Sequence, residues 1–211
     1  MFEISYYGGN AIEIATKDVT LVFDGNRSSF GKKNLSAKDG AEFATEDRFL
    51  TNDPAFRVSL CGAGEYEVSN IMVQGVAASR HLDDPKAEKD STVFSIRIGD
   101  QCIALLGNIL GPLNDDQLEV LGMVDILIIP VGGNGYTLDA ADAAKIISQI
   151  TPKIVIPIHY AENGYNYEVP QDSFNEFKEQ IKAEVIEDKT LKFKPNTTMP
   201  ASLTIYKLTA Q

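Results

Sequence analysis

The chain has 211 residues, a net charge of −11 and 44% hydrophobic residues, which is typical of a globular domain; we expect one domain, residues 1–211. The acidic balance excludes a broad electrostatic grip on nucleic acid or on an anionic membrane, because both need clustered Lys and Arg. The N-terminus MFEISYYGG lacks a basic and apolar leader, and no apolar run reaches the roughly 20 residues that cross a bilayer. These features predict a cytoplasmic protein.

The first half of the chain is predicted to be β-structure. Short alternating or apolar runs are separated by turn residues, as in strands and hairpins. Gly99 and Asp100 predict the tight turn of one hairpin. The polar segments 25–40 and 78–90 are predicted loops. The predicted strands are 2–7, 11–16, 19–24, 56–62, 64–68, 71–76, 91–98 and 101–107.

The second half alternates helices with buried strands. Asn114 predicts the cap of a helix over 115–121, with Gln117 as capping-box partner and Gly122 as its stop. Two continuous apolar runs predict fully buried strands. This order predicts an α/β fold, an αββα sandwich of two sheets with helices outside them. The remaining predicted elements are strands 124–133, 152–160 and 202–208, helix 138–150, and a helix carrying Phe174, Phe177 and Ile181.

Polar residues stand where the later strands end. Asn108 follows the predicted strand 101–107, and His159 ends VIPIHY at the close of strand 152–160. Residues at consecutive strand ends gather at one edge of a sheet, where α/β proteins bind ligands. This placement makes Asn108 and His159 candidate site residues.

Each of these residues also has a purely structural interpretation. His159 fits a hydrogen-bonded core histidine, Asn108 fits a turn residue, and His81 in its polar loop fits a solvated side chain. The nearby tyrosines 160, 165 and 167 fit the rim of a pocket or surface aromatic positions.

Five stretches resemble the metallo-β-lactamase superfamily, in particular its small Zn-dependent hydrolases related to ascorbate-phosphate lactonases. Their order and spacing match over about residues 4–160. The resemblance implies the αββα fold and, for an ordinary member, zinc or manganese ions that activate a water molecule. The stretches are YYGGNAIEI with VTLVFD, GAGEYEVSNIMVQGV, LLGNILGPLNDDQLEVLGMVDILIIPVGG, YTLDAADAA and PKIVIPIHY.

The resemblance fails at the metal ligands. The family uses an H-x-H-x-D-H motif, a further His, a bridging Asp and a final His. The corresponding slot for the motif is FATEDRFLTND, which contains no histidine. An arginine would stand where a cation belongs. The aligned ligand positions hold Glu46, Arg48, Leu50 and Thr51.

The remaining family positions are partly kept. The resemblance implies that Asn108 replaces the bridging Asp, an amide being the poorer ligand. His81 matches the intermediate His and His159 the final one. Asp24 matches an aspartate that usually supports the ligands rather than binding metal. We therefore take His81, Asn108, His159 and Asp24 as candidates for the remains of a site.

Counting ligands gives the functional expectation. A catalytic zinc site uses about three protein ligands, and the chain has only two histidines. A single-metal site would have to recruit an acid: Glu46, Asp47, Asp24 or Asp83. Although the family implies zinc or manganese, we expect no resident cofactor.

Two functions follow from this count. The first is a non-catalytic binding or scaffolding protein. Its partner would be an unidentified small molecule or protein, or a second copy of the chain in a homo-oligomer. The alternative is a hydrolase with a rebuilt single-metal or metal-free site that uses His159, His81 and Asn108.

Overall fold

The computed structural model describes residues 1–80, 90–194 and 197–211. Within these ranges, strands form two sheets and three α-helices follow in the second half. None of the helices in the described ranges is long and apolar enough to cross a bilayer. The α-helices are α1 Asp115–Leu121, α2 Ala140–Ile150 and α3 Phe174–Gln180, and one-turn 3-10 helices cover Ser28–Phe30 and Asp47–Phe49. The strands are β1 Phe2–Tyr6, β2 Ile12–Thr16, β3 Thr20–Phe23, β4 Ala41–Ala44, β5 Val58–Cys61, β6 Gly64–Val68, β7 Ile71–Ser79, β8 Asp90–Ile98, β9 Gln101–Leu106, β10 Ile126–Pro130, β11 Ile154–Ile158, β12 Glu184–Asp188, β13 Thr190–Phe193 and β14 Thr204–Leu208.

Each sheet contains a parallel part. The six-stranded sheet has the order β13-β1-β2-β3-β4-β5, and the eight-stranded sheet has the order β12-β14-β11-β10-β9-β8-β7-β6. In the first sheet β3, β4 and β5 are parallel, and in the second β9, β10, β11 and β14 are parallel. The carboxyl ends of parallel strands share an edge, so the residues that follow them gather there.

The two sheets pack face to face through an apolar core. Phe23 and Phe43 from the six-stranded sheet meet Phe94 from the eight-stranded sheet, with ring centroids 5.3 to 5.9 Å apart. Phe23 is the last residue of β3, and Phe43 lies one residue before the end of β4. The three rings therefore fix the ends of β3 and β4.

The predicted sandwich of two sheets is confirmed. Its three described α-helices lie on the side of the eight-stranded sheet. Helix α1 contacts β7 and β8, α2 contacts β10, and α3 contacts α2. On the other side, Val22 points away from the core and packs with Leu35 and Phe56 from two loops. Loop segments thus cover the outer face of the six-stranded sheet at this point, where the sequence predicted a helix layer.

Most predicted elements are confirmed with small shifts of their ends. Asn114 and Gln117 form the predicted capping box of α1, and Gly122 follows the helix. Helix α2 begins at Ala140, capped by Asp139, and α3 ends at Gln180, just before Ile181.

Three strands have no counterpart among the predicted elements. Strand β4 has only four residues, and β12 and β13 interleave charged residues with apolar ones. The predicted loop 78–90 is also corrected at its ends, because β7 extends to Ser79 and β8 begins at Asp90. Residues 81–89 lie outside the described residues.

The ring cluster gives a stability prediction. Phe94→Ala removes one ring of the three and leaves a cavity between the sheets, so we expect the free energy of unfolding to fall by about 3–5 kcal/mol. Urea denaturation followed by circular dichroism measures it. Met72→Ala on the neighbouring strand is the control, because Met72 is half exposed and should cost less than about 1 kcal/mol. Equal losses in both variants would contradict the core assignment.

Candidate functional site

A line of hydrogen-bonded side chains joins the ends of strands from both sheets. His159 follows β11, Asn108 follows β9, Glu46 follows β4, and Asn10 lies in the turn between β1 and β2. Asn10 Nδ2 donates to Asn108 Oδ1 at 3.1 Å. Asn108 Nδ2 donates to Glu46 Oε1 at 3.2 Å. His159 Nδ1 contacts Asn10 Oδ1 at 2.8 Å. We call these four residues the polar line; all four are buried.

The polar line fixes the protonation of His159. Asn10 Oδ1 is an acceptor, so Nδ1 of His159 carries the proton and donates it. The other ring nitrogen, Nε2, is buried and has no hydrogen-bond partner within residues 1–80, 90–194 and 197–211. The rings of Phe30, Tyr136 and Tyr167 surround the imidazole, with centroids 5.2 to 5.8 Å away.

The charge state of His159 follows from these surroundings. Burial, together with the nearby positive charge of Arg48, lowers the pKa of His159 to about 3. The imidazole is therefore neutral across the physiological pH range. An apolar enclosure without a carboxylate partner disfavours the imidazolium form.

Two site residues have backbones in the left-handed region. His159 has a φ of 50° and Asp24 a φ of 52°. Residues with a Cβ adopt this conformation at an energetic cost, and such positions cluster at functional sites. Both stand directly after a strand, so the surrounding sheet structure holds them there.

The Glu46 carboxylate is the buried centre of an ion-pair cluster formed by Glu46, Arg48 and Arg80. Its Oε2 accepts from Arg48 Nε at 2.9 Å and from Arg80 Nη1 at 2.7 Å. The Glu46 side chain is only 3% exposed. Arg48 also donates to the Tyr136 hydroxyl and pairs with Glu168 at 3.3 Å. Charge-assisted bonds of this kind are needed to keep a carboxylate ionised away from water.

Asp24 stabilises the backbone next to Glu46. Its two oxygens accept from the backbone N–H and the hydroxyl of Thr45, each at 2.7 Å. Thr45 directly precedes Glu46, so these bonds fix the start of the ion-pair cluster. Burial raises the pKa of Asp24 to about 7, while the two bonds from Thr45 act in the opposite direction.

The half-buried carboxylate of Glu162 holds the aromatic side chains around His159. Tyr6 and Tyr167 both donate from their hydroxyls to Glu162 Oε2, at 2.8 and 3.2 Å. The Tyr6 hydroxyl also accepts from the backbone N–H of His159 at 3.1 Å. Burial raises the pKa of Glu162 to about 7. Glu162 thus positions the Tyr167 ring that stacks on the imidazole.

The structure brings several of the sequence-predicted residues together. Asn108 and His159 belong to the polar line, and Asp24 lies beside it through Thr45. His81 lies outside the described residues. The preceding residue, Arg80, reaches Glu46.

Other candidates have different places. Thr51 donates its backbone N–H to Glu42, a separate buried carboxylate. Tyr167 contacts His159, and Tyr165 stacks on Tyr167. Tyr160 packs against Phe174 beneath α3, so it does not rim the site.

Sequence reasoning missed three residues that complete the site: Asn10, Arg80 and Tyr136. Asn10 falls between the predicted strands 2–7 and 11–16, and Arg80 falls in the predicted loop 78–90. Their bonds cross 98 and 34 residues of sequence. The Glu-x-Arg stretch at Glu46 and Arg48 is a local signal, since a buried carboxylate needs counter-charges.

A cleft of about 530 Å³ opens beside the ion-pair cluster. It lies between the turn after β4, the end of β5 and the facing ends of β7 and β8. No group of three or more His, Cys, Asp or Glu among residues 1–80, 90–194 and 197–211 is arranged to hold a metal ion. The lining residues are Thr45, Glu46, Asp47, Arg48, Cys61, Gly62, Ala63, Ala77, Arg80, Ser91 and Thr92.

Sequence comparison identifies relatives of the chain. A family model described as "Beta-lactamase superfamily domain" matches residues 3–159. A UPF0173 metal-dependent hydrolase from Staphylothermus marinus is 27% identical over 161 residues, 72% of this chain. One from Carboxydothermus hydrogenoformans is 51% identical over 43 residues, 20% of this chain. The matches span 57% and 19% of the lengths of these relatives.

Structure comparison matches the same fold. A member of the metallo-β-lactamase superfamily from Thermotoga maritima aligns over 99% of this chain and 100% of its own, with a TM-score of 0.74 and 19% identity. A metallo hydrolase from Ignicoccus hospitalis aligns over 92% of this chain and 99% of its own, with a TM-score of 0.64 and 16% identity. The two-sheet architecture is therefore shared across most of the chain.

The buried imidazole predicts a pH dependence of stability. In the unfolded chain His159 takes up a proton near pH 6.5, whereas in the folded chain its pKa is about 3. Its contribution is thus complete above pH 6.5 and is lost as the pH falls toward 3. From pH 7 to pH 5 the loss amounts to about 2 kcal/mol. His159→Gln should lack this component.

The measurement is urea denaturation of both proteins at pH 7 and pH 5. Asp24 and Glu162, whose pKa values are raised, act in the opposite direction, losing stability as the pH rises through about 7. Both proteins contain these two carboxylates. The difference between wild type and His159→Gln in the pH dependence of the unfolding free energy therefore measures the contribution of His159. Identical pH slopes for wild type and variant would contradict a buried neutral imidazole.

Proposed function

The chain belongs to the family of the beta-lactamase superfamily domain and has the metallo-β-lactamase fold, and on that premise we propose that it is a metal-free, non-catalytic member that binds a small molecule. The observation that carries the proposal is the ion-pair cluster of Glu46, Arg48 and Arg80. Glu46 and Arg48 stand in the stretch FATEDRFLTND, which the sequence resemblance matches to the family's first metal ligands. The relatives are named metal-dependent hydrolases, so the proposal concerns where this chain departs from them.

The charges around Glu46 are the first support for the proposal. Glu46 is already compensated by two guanidinium groups, at 2.9 and 2.7 Å. A divalent cation placed next to Glu46 would also lie next to Arg48 and Arg80. At such separations the repulsion between like charges in a partly buried site amounts to several kcal/mol. The arginines supply the positive charge that a metal would supply, without an open coordination position.

The donor set does not fit a catalytic metal either. Both oxygens of Asp24 accept bonds from Thr45, and both oxygens of Glu46 are occupied by Asn108 and the arginines. Nε2 of His159 has no partner among the described residues, and aromatic rings surround the imidazole. His81, outside the described residues, adds at most one further imidazole. Two imidazoles fall short of the roughly three ligands that a catalytic zinc needs.

The position of His159 favours a binding role over a rebuilt hydrolase. A general base must reach the proton that it removes and needs a pKa near the working pH. His159 is fully buried and its pKa is about 3. A side chain with these properties holds the polar line in place rather than acting on a substrate.

Metal content tests the proposal. The untagged protein is purified from medium supplemented with zinc and manganese, and bound metals are quantified by mass spectrometry. We expect less than about a tenth of an equivalent, because no group of three potential metal ligands is arranged to hold a metal ion in the described part of the chain, and a catalytic zinc needs about three. His159→Ala serves as the matched variant and should leave the metal content unchanged.

Rates with lactone and phosphodiester substrates are measured on the same samples, and we expect no hydrolysis above that of the His159→Ala variant. The proposal would be overturned by about one equivalent of metal that is lost, together with hydrolysis, in His159→Ala.

A further inference from the structure

Two buried donors in the cleft have no partner among the residues that the structure describes. Arg80 Nε and Ser91 Oγ both line the cleft, and neither makes a hydrogen bond to a described residue. The Ser91 residue is 4% exposed, and the Arg80 side chain is 19% exposed. An unsatisfied buried polar group costs about 1–3 kcal/mol, and folded proteins rarely leave one. Two in one cleft indicate a missing common partner.

The chemistry of the two groups specifies the partner. A guanidinium Nε–H can only donate, and a serine hydroxyl can donate equally well. The partner must therefore present acceptor oxygens to both. A cleft of about 530 Å³ lies within the range of small-molecule sites. A planar carboxylate matches the donor geometry of a guanidinium edge.

The surrounding charges limit the charge of the partner. Glu46 is saturated by its three bonds, and Arg48 is divided between Glu46 and Glu168. Arg80 thus keeps one donor, its Nε–H, that no described residue accepts from. Asp47 also lines the cleft and is exposed. A singly charged group gains from Arg80, whereas a second negative charge would meet Asp47 and Glu46.

We propose that this cleft binds the carboxylate group of a small molecule, with Arg80 Nε and Ser91 Oγ as its hydrogen-bond donors. The inference rests on the proposed metal-free function and adds the chemical class of the ligand. Serine and arginine hold the ligand directly, so binding needs neither His159 nor a cation.

Acetate is the first probe, with inorganic phosphate and chloride compared at matched ionic strength. Binding is followed by amide chemical-shift titration and by the shift of the melting temperature. We expect saturable shifts for acetate that are confined to residues around the cleft, weaker shifts for phosphate, and none for chloride. Equal responses to all three salts would mean that the cleft holds only water or a diffuse ion atmosphere and would overturn the proposal.

Two variants, each with a matched control, separate ligand binding from structure. Ser91→Ala should weaken acetate binding roughly ten-fold, as expected for loss of a bond to a charged group. Ser95→Ala, another buried serine on β8, should not. Arg80→Lys keeps the charge but lacks Nε–H and should also weaken binding. Arg97→Lys, at an exposed position on β8, should not.

Stability of the free variants provides a second readout. Because Ser91 Oγ has no partner in the described protein, Ser91→Ala should leave the melting temperature unchanged or raise it when acetate is absent. A lower melting temperature would show that Ser91 is structural and would overturn the inference.

A chelator separates this inference from the proposed function. The acetate titration is repeated after exhaustive treatment with EDTA, and we expect the same affinity. Binding that disappears with the metal would overturn both the metal-free function and the direct contact with Arg80 and Ser91. Absent binding in a protein shown to be metal-free would overturn the carboxylate site alone.

Discussion

The arrangement of this site depends on one buried carboxylate. Glu46 follows the six-stranded sheet and bonds to Asn108 from the eight-stranded sheet and to Arg80 from the end of β7. Burying a carboxylate costs free energy unless cations and hydrogen bonds replace its contacts with water. Arg48 and Arg80 meet that requirement, and their placement sets the position of Tyr136 and the shape of the cleft.

The same constraint extends to the core side of the site. Asn108 accepts a hydrogen bond from Asn10, and Asn10 in turn accepts from His159 and so fixes its tautomer. The imidazole is then sealed by aromatic rings, one of which is held by Glu162. In the proposed function, the sheet edge still forms a place where a ligand can bind. The guanidinium groups of Arg48 and Arg80 would stand there in place of metal ions that activate water. A fold hosts many activities, and the site decides among them.

The sequence predicted the features that depend on local patterns. The capping box of α1 and the buried parallel strands β10 and β11 have clear local signals, and the placement of Asn108 and His159 follows from the strands they end. Strand β4 carries little signal, because four residues do not establish a period. Asn10 and Arg80 could not be assigned, since their roles arise from contacts between distant segments. The absence of histidine from FATEDRFLTND can be read from the sequence, whereas the bonds from Arg48 and Arg80 to Glu46 can be read only from the structure.

The most direct test of the account is a crystal structure of the protein grown with excess zinc, with an anomalous difference map at the zinc absorption edge. The account predicts that Glu46 remains bonded to Arg48 and Arg80 and that no peak lies within about 2.0–2.1 Å of His159 Nε2, the bonding distance of zinc to nitrogen. A strong peak at that nitrogen, with Glu46 or Asp24 turned away from its present partners to bind it, would contradict the account.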